Sequence, residues 1–334
     1  MKTNIRNEIN QYCEKIGSNR LFVQGAGGNI SWKDSDTLWI KASGMWLIDA
    51  PGKNIFVPVD LIHILQQVQN KNYSFDIQSL EASDLRPSIE TILHAILPHK
   101  IVLHIHAVEI LALLVNNDYE KILHTYFADK YICGYVDYKK PGPDLAIEVN
   151  NVVNKASNVQ IIFLQNHGIV VGGNTINEID LILKDLICTI NNSQTILSKK
   201  EKINYLSLPK ISGYEAIKDS ELHNLAIDYN CYQHVLSHWP LYPDHVVFLN
   251  KKPFCYDCIN DFLLSDENPD LLFIKNIGVY VSPEFSLAKE EQLRCFYDVI
   301  IRIRSNYNLN ILDQASVEAL INWDSEQYRI NNAK

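Results

Sequence analysis

Apolar residues follow helical spacing in some parts of the chain and short continuous runs in others. Near the amino terminus Ile5, Ile9, Tyr12 and Ile16 recur every three to four residues, which predicts an amphipathic helix. The runs NISW and TLWIK flank a polar KDSD turn and predict a β-hairpin. Further strands are predicted at IVLHIH, ICGYV and IIFLQNHGIVVGG, and further helices after Asp60, near Pro87, over 108–124, from Pro143 and over 177–197. Strands interleaved with helices indicate an α/β or layered α+β fold.

The last third of the chain resembles part of what precedes it. From about residue 200 the polar segment SKKEKINYLSLPKISG is typical of a linker, so we expect two units, residues 1–200 and 210–334. Beyond it, LLFIKNIGVYV (271–281) matches IIFLQNHGIVV (161–171) at a constant offset of 110 residues, and each copy runs into a long helix. Apolar hairpins also resemble one another by chance. A true duplication is the hypothesis favoured here, with Ile277 in the place of His167.

Composition and charge exclude several classes of protein. The chain has 334 residues, 47% hydrophobic and 21% charged, as expected for one large or two smaller globular domains. Its formal net charge of −9 argues against nucleic acid or an anionic membrane as a partner. No stretch approaches the roughly 20 apolar residues of a membrane span, and the amino terminus lacks the apolar core of a signal peptide. Seven scattered cysteines predict reduced thiols and a cytoplasmic location, with Cys255-x-x-Cys258 interpreted as incidental.

Three histidines carry the clearest chemical signal. His104 and His106 lie one residue apart in IVLHIH, and such a pair on a strand places both imidazoles on one face. His167 lies in the turn of LQNHGIVV. Core histidines bonded to carbonyl groups are the plain structural alternative. If His167 folds back onto the pair, three nitrogen donors with an open fourth position form the usual catalytic arrangement for zinc, which acts as a Lewis acid on a substrate oxygen. The second copy lacks an HxH strand and would be metal-free.

Glu90 is the candidate group for proton transfer. It lies in RPSIETILH, near the first turn of a predicted helix, where free N–H groups and the helix dipole stabilise a carboxylate. A capping role is the structural alternative, and the functional one is a general acid/base beside the metal. His94 follows on the same helix face, and we expect it to pack or to pair with Glu90 rather than to bind the metal.

Three short loops offer donors for an anion. GAGGNIS fails the dinucleotide fingerprint, because Ile30 stands at the third glycine position and a strand follows where a helix should be. Its exposed amide groups and Asn29 still suit an anion. KASG, with Ser43 and Gly44, and Ser88 at a helix start add neutral donors, and together these can hold a phosphate. An ordinary glycine turn is the alternative interpretation of each loop.

The ordered motifs GGNIS, KASG, RPSIE, HIH and NHG resemble the class II aldolase/adducin family, the metal-dependent sugar-phosphate aldolases. The segment YVDYKKPGPDLA resembles that family's proline-glycine segment before a helix. The resemblance covers roughly residues 5–200, and residues 200–330 resemble the extension of larger members, such as the aldolase part of bifunctional rhamnulose-phosphate aldolase/dehydrogenases. It implies a three-layer α/β/α fold with a central, mostly antiparallel sheet.

The resemblance also implies roles for individual residues. The implied ligands of zinc, or of another divalent metal, are His104, His106 and His167, and the implied acid/base is Glu90. The implied phosphate-binding residues are Asn29, Ser43, Gly44 and Ser88. Many family aldolases have two serines before the glutamate, and Ile89 replaces the second here, which removes one phosphate donor. Family members form rings with active sites between subunits. A homo-oligomer is therefore implied, and with a subunit-like second lobe two chains would build a four-lobed ring.

These expectations converge on a metal-dependent aldehyde-lyase. We expect a class II aldolase that cleaves or forms a C–C bond in a ketose or ketose phosphate, with the metal stabilising an enediolate and Glu90 moving the proton. A sugar-phosphate epimerase, dehydratase or decarboxylase stays open, because these enzymes share the metal and phosphate loops. A non-catalytic, adducin-like scaffold also stays open. The degenerate second lobe favours it, and the intact histidine set opposes it.

Overall fold

The chain folds around two β-sheets that are covered by helices. The structure is a computed structural model that describes residues 2–193, 203–304 and 306–332. The larger sheet is built from the amino-terminal half and the smaller sheet from residues 215–281. The end of the helix predicted over 177–197 (residues 194–197) and part of the predicted linker (residues 198–202) lie outside the described residues.

The larger sheet has seven strands and is almost wholly antiparallel. Its strands are β1 (Asn29–Asp34), β2 (Thr37–Lys41), β3 (Phe56–Asp60), β4 (Ile101–Ile105), β5 (Cys133–Val136), β6 (Ile161–Leu164) and β7 (Gly168–Gly173). They lie in the order β3-β2-β1-β4-β7-β6-β5, and only the edge pair β5–β6 runs parallel. The mixed α/β fold with a mostly antiparallel central sheet is therefore confirmed.

Helices cover both faces of this sheet. One face packs against α1 (Lys2–Gly17), α4 (Val108–Leu114), α5 (Tyr119–Phe127) and α7 (Ile176–Ser193), and the other against α2 (Leu61–Gln69), α3 (Thr91–Ile96) and α6 (Pro143–Lys155). Neighbouring residues of a strand enter opposite layers, because side chains alternate along a strand. On β4, Leu103 packs in the first layer and Val102 in the second. This alternation produces the three-layer α/β/α arrangement.

The predicted elements are present, with one shifted boundary. Asp60 caps α2 as expected, since its carboxylate accepts a hydrogen bond from the amide three residues later at 2.8 Å. Helix α3 begins at Thr91 and not near Pro87. The physical reason lies in the preceding loop, because Pro87 forms a β-bridge with the KASG loop and the Ser43 amide donates to the Arg86 carbonyl at 2.9 Å. These contacts hold Arg86 and Pro87 against the KASG loop, and a turn from Ser88 to Thr91 then leads into the helix.

The smaller sheet repeats part of the larger one. Its strands are β8 (Glu215–Ala216), β9 (Cys255–Tyr256), β10 (Leu271–Ile274) and β11 (Gly278–Val281), in the order β8-β11-β10-β9. Strand β9 runs parallel to β10, and β11 runs antiparallel to β10. The larger sheet has the same arrangement, with β5 parallel to β6 and β7 antiparallel to β6. Asn166 and Asn276 both have positive φ, 53° and 58°, in the two hairpin turns. The strand arrangement matches, and the duplication itself stays a prediction.

Seven helices accompany the smaller sheet in the described part of the chain. They are α8 (Asn224–Ile227), α9 (Tyr229–Ser237), α10 (Pro243–Leu249), α11 (Ile259–Leu263), α12 (Leu287–Ile300), α13 (Gln314–Ile321) and α14 (Asp324–Asn332). Helix α12 follows β11 as α7 follows β7. Across residues 2–193, 203–304 and 306–332, no helix has both the length and the apolar character to cross a membrane.

One hydrophobic cluster joins the two halves of the chain. Val108 and Leu111 of α4 are fully buried and pack with Trp239, Phe273 and Phe296 from the carboxyl-terminal half. The Trp239 ring meets the two phenylalanine rings edge to face, with centroids 5.5 and 5.2 Å apart. Since apolar burial is the main favourable term in folding, this contact couples the stability of the two halves.

We expect the Leu111→Ala variant to lower the free energy of unfolding by roughly 2–5 kcal/mol, because it removes a fully buried side chain and leaves a cavity. Thermal denaturation followed by calorimetry should show one transition, and that transition should move as a whole. Leu181→Ala on α7 is the control, since Leu181 is 57% exposed and should leave the transition unchanged. Two transitions, of which only one moves, would contradict the shared cluster.

Candidate active site

Strand register brings the separate sequence motifs to one end of the larger sheet. Asn29, the first residue of β1, lies opposite His104 near the end of β4, and His104 lies opposite Val170 of β7. His167 lies in the turn that immediately precedes β7. Because β1 and β7 both run antiparallel to β4, the starts of these two strands meet the end of β4. GGNIS, HIH and NHG therefore converge.

The three predicted histidines form one cluster. His104, His106 and His167 are buried, and each offers a ligand atom within 4.8 Å of the others. The His104 and His106 Nε2 atoms are 3.1 Å apart. The structure places His94 outside this cluster, with its Nδ1 2.8 Å from the hydroxyl group of Ser31. His94 is therefore packed in the core as expected, and its polar contact is with Ser31 instead of Glu90.

The hydrogen-bond partners of two rings show that the cluster fits a cation. His104 Nδ1 lies 3.0 Å from the Ile169 carbonyl, which can only accept, so Nδ1 carries the proton of the neutral ring. His106 Nδ1 lies 3.2 Å from a carboxylate oxygen of Asp244, which assigns its proton in the same way. With each Nδ1 atom occupied by an acceptor, the two Nε2 atoms are the ones available as ligands, and they face one another. The donor set therefore fits zinc or a similar ion held between them.

Glu90 faces the histidines instead of the helix. Its Oε2 lies 3.4 Å from His104 Nε2 and accepts a hydrogen bond from Asn29 Nδ2 at 2.8 Å, and its Oε1 lies 3.5 Å from His167 Nε2. Glu90 precedes the first residue of α3, and its side chain makes no capping hydrogen bond. Glu90 therefore lies at the start of α3 as predicted, but its carboxylate does not accept the expected hydrogen bonds from the free N–H groups of the helix. A turn from Ser88 to Thr91 precedes the helix, and the carboxylate points into the cluster.

The protonation states in the cluster are those that bind a divalent cation. Burial lowers the pKa of His104 to about 4 and that of His167 to about 3, so both rings are neutral at neutral pH. Burial works to raise the pKa of the Glu90 carboxyl group, but the facing His104 and His167 rings and the Asn29 amide lower it more, to about 2. His104 and His167 thus present neutral imidazoles beside the Glu90 carboxylate, as metal binding requires.

A small cavity lies against the cluster and has a volume of about 30 Å³. This is roughly the share of liquid volume that one water molecule occupies. The predicted phosphate residues that line it are Asn29, Ser43, Gly44 and Ser88. Asn29 Nδ2 is 3.2 Å from Ser88 Oγ, so these two side chains and Glu90 form one polar wall. The structure brings all four residues together, and their role in phosphate binding stays a prediction.

Three residues of the carboxyl-terminal half also line the cavity, and the sequence analysis did not predict them. Asp244 comes from α10, and Glu326 and Arg329 come from α14. Arg329 donates to both carboxylate oxygens of Asp244, at 2.6 and 2.7 Å, and lies 3.3 Å from Glu326. Burial opposes ionisation of Asp244, but Arg329 holds its pKa well below the ordinary value. Burial raises the pKa of Glu326. No spacing pattern distinguishes these residues from other polar residues of the chain.

Lys41, the first residue of KASG, is a fourth residue that the sequence analysis missed. It is buried, and its Nζ donates to the carbonyl groups of Ala26 and Met45 at 3.0 and 2.6 Å. Burial lowers the pKa of Lys41 to about 7. Lys41 therefore ties the glycine loop before β1 to the KASG loop and places a titratable amine in the wall of the cavity.

Helix α14 covers the KASG side of the cavity. The Arg86 guanidinium lies 4.3 Å from the ring of Tyr328, and the Lys140 ammonium lies 4.3 Å from the ring of Trp323, just before α14. Gly44 has φ +80°, and a Cβ atom there would lie 2.7 Å from the Cβ of Asn332. Helix α14 therefore closes the cavity on this side.

A family model confirms the resemblance found in the motifs. The model of the class II aldolase and adducin N-terminal domain matches residues 7–179, just over half of the chain. The chain belongs to the class II aldolase and adducin family. The matched region contains His104, His106, His167 and Glu90, whereas Asp244 and α14 lie beyond it.

Individual relatives are more distant. The chain is 27% identical over 175 residues to the uncharacterized oxidoreductase YuxG of Bacillus subtilis (strain 168), a match that covers 48% of this chain and 25% of that protein. It thus spans about a quarter of the length of this curated relative. Among solved structures, an N-terminal class II aldolase domain from Thermoplasma acidophilum is 26% identical, with 56% of this chain and 92% of that chain covered and a TM-score of 0.47. A sugar-phosphate aldolase from Thermotoga maritima is 15% identical, with 60% and 98% covered and a TM-score of 0.43.

Proposed function

We propose that the protein is a metal-dependent aldehyde-lyase, a class II aldolase that cleaves or forms a C–C bond in a ketose or ketose phosphate. The observation that carries the proposal is the convergence of three buried histidines, with two ring nitrogens facing each other at 3.1 Å and the Glu90 carboxylate 3.4–3.5 Å from two of the rings. Three imidazoles suit zinc or another divalent transition metal. Family membership supports the reaction class.

Each residue of the cluster has a separate part in the proposed reaction. His104, His106 and His167 would hold the metal, which supplies Lewis-acid polarisation of the substrate carbonyl when bound. In bond formation Glu90 removes a proton from the carbon next to the carbonyl group, and in bond cleavage it returns the proton to that carbon. The Asn29 amide donates to Glu90 Oε2 at 2.8 Å and so fixes the orientation of the carboxylate.

The remaining residues of the cavity wall would orient the substrate. The neutral donors Asn29, Ser43, Gly44 and Ser88 are proposed to bind its phosphate or hydroxyl end. Because the cavity volume is about 30 Å³, a ketose enters only when α14 moves away from the KASG loop. We also propose that the protein is a homo-oligomer with the site near a subunit interface. Light scattering would measure the mass of the oligomer. We further propose that the carboxyl-terminal lobe, residues 210–334, is a metal-free repeat of the first lobe.

Removal of the metal should abolish turnover, and its return should restore it. We expect one divalent ion per chain in the purified protein, measured by mass spectrometry. After dialysis against a chelator, retro-aldol cleavage of a panel of ketose 1-phosphates and their unphosphorylated counterparts should fall below detection. Stoichiometric zinc should restore the wild-type rate, because the three imidazoles remain preorganised around the site.

The products of the same panel distinguish the alternatives. A ketone and an aldehyde fragment support the aldolase, whereas an inverted carbon, loss of water or loss of carbon dioxide would replace it with an epimerase, a dehydratase or a decarboxylase. Full turnover by the metal-free protein would contradict the proposal. A protein that binds no metal and converts no member of the panel would support a scaffold role.

A further inference from the structure

We propose that Asp244 of the carboxyl-terminal half positions His106 as a metal ligand, and that Arg329 holds Asp244 in place for this task. Asp244 is a positioning residue in this proposal, because it acts through His106. The inference rests on the metal site of the proposed function and is independent of which sugar reaction that site performs. It gives the carboxyl-terminal half a direct part in the chemistry of a cluster that lies wholly in the amino-terminal half.

Asp244 contacts His106 through the ring nitrogen opposite the one that faces the histidine cluster. Asp244 Oδ2 lies 3.2 Å from His106 Nδ1, while Nε2 on the opposite side of the ring faces the Nε2 of His104 at 3.1 Å. A carboxylate that accepts a hydrogen bond from one ring nitrogen fixes the tautomer and the orientation of the ring, and it raises the basicity of the other ring nitrogen. Both side chains are almost fully buried, 7% exposed for His106 and 3% for Asp244, so water does not compete for this contact.

Asp244 is itself held in one orientation. Arg329 donates to Oδ1 at 2.6 Å and to Oδ2 at 2.7 Å, a bidentate pair that fixes the plane of the carboxylate. Gln292 Nε2 adds a contact to Oδ2 at 3.4 Å. These partners come from α14 and α12, and Asp244 comes from α10, so three helices of the carboxyl-terminal half converge behind His106.

Gly27, in the loop before β1, leaves space for the contact between Asp244 and His106. A Cβ atom at Gly27 would lie 3.1 Å from Asp244 Oδ2 and 3.3 Å from His106 Nδ1. The same Cβ atom would lie 2.9 Å from the backbone carbonyl oxygen of Gln24, so a side chain here would crowd the glycine loop as well as the carboxylate and the ring. A purely structural ion pair between α10 and α14 would need only Asp244 and Arg329. The contact at the ring nitrogen opposite the ligand nitrogen distinguishes the positioning role.

The test compares two buried carboxylates by metal affinity. We expect Asp244→Asn to weaken zinc binding by about 10–100-fold, measured by competition with a chromophoric chelator, because the amide lacks the charge that orients His106. Asp298→Asn is the matched control. Asp298 is buried on α12 and accepts from Arg20 at 3.0 Å and Arg294 at 3.1 Å, and it does not line the cavity. Its variant should bind zinc with wild-type affinity.

The visible spectrum of the cobalt-loaded protein is the second measurement, and it should change in Asp244→Asn alone. Wild-type affinity and an unchanged spectrum in Asp244→Asn would overturn the inference. If that variant does not fold, Arg329→Lys tests the same contact with the positive charge kept, because an ammonium group cannot make the bidentate pair that orients Asp244, and it should also weaken zinc binding several-fold. Unchanged affinity in Arg329→Lys would then overturn the inference. A wild-type protein that binds no divalent ion would overturn the proposed function itself. Failure of the proposed function is therefore distinguishable from failure of the role inferred for Asp244.

Discussion

We expect the Glu90→Gln variant to lose about 10²–10⁴-fold in turnover number while it keeps its metal. The amide has nearly the same size as the carboxylate and retains an oxygen that can accept from Asn29, whose donated bond to Glu90 is 2.8 Å long. It cannot take up or return a proton at the substrate carbon. Turnover on the active ketose and metal content by mass spectrometry are the two measurements.

A second buried carboxylate provides the control for this variant. Glu109 lies on α4, 3% exposed, with Arg302 as its partner at 3.4 Å, and it is outside the cavity wall. Glu109→Gln should keep turnover near the wild-type value even if the protein is less stable. Normal metal content together with full turnover in Glu90→Gln would remove Glu90 from proton transfer.

We expect the metal affinity of the His167→Asn variant to fall by more than the roughly 10–100-fold expected for loss of Asp244, which only contacts a ligand. Turnover should fall together with the metal affinity. The physical reason is that a site with three protein ligands loses one of them, since the Nε2 atom of His167 has no counterpart in the shorter asparagine side chain. The zinc dissociation constant and the zinc stoichiometry after gel filtration are the measurements.

His94→Asn is the matched control for this ligand variant. His94 is also fully buried and near Glu90 in sequence, but its Nδ1 contacts the Ser31 hydroxyl group at 2.8 Å and it lies outside the histidine cluster. His94→Asn should destabilise the fold and keep zinc. Equal loss of zinc in both variants would show that the metal is lost through unfolding, and wild-type affinity in His167→Asn would exclude His167 as a ligand.

Several features of the fold and of the site could be predicted from short stretches of sequence. The apolar spacing of Ile5 to Ile16 predicts α1, and Asp60 caps α2, because these signals act within one or two helical turns. The HxH pair is visible because alternation along a strand places His104 and His106 on one face. Glu90 lies at the start of α3 as predicted, but its carboxylate contacts Asn29 and the histidines instead of capping the helix.

Short motifs of neighbouring residues predicted the family, the three clustered histidines and Glu90, and the alternation of strands and helices along the chain predicted the layered α/β fold. The residues that surround the histidines could be identified only from the folded chain. Asp244 and Arg329 come from helices that are remote in sequence and meet the cavity through packing between the two halves. A contact of this kind has no period and no spacing, so the carboxylate behind His106 becomes visible only once the chain is folded.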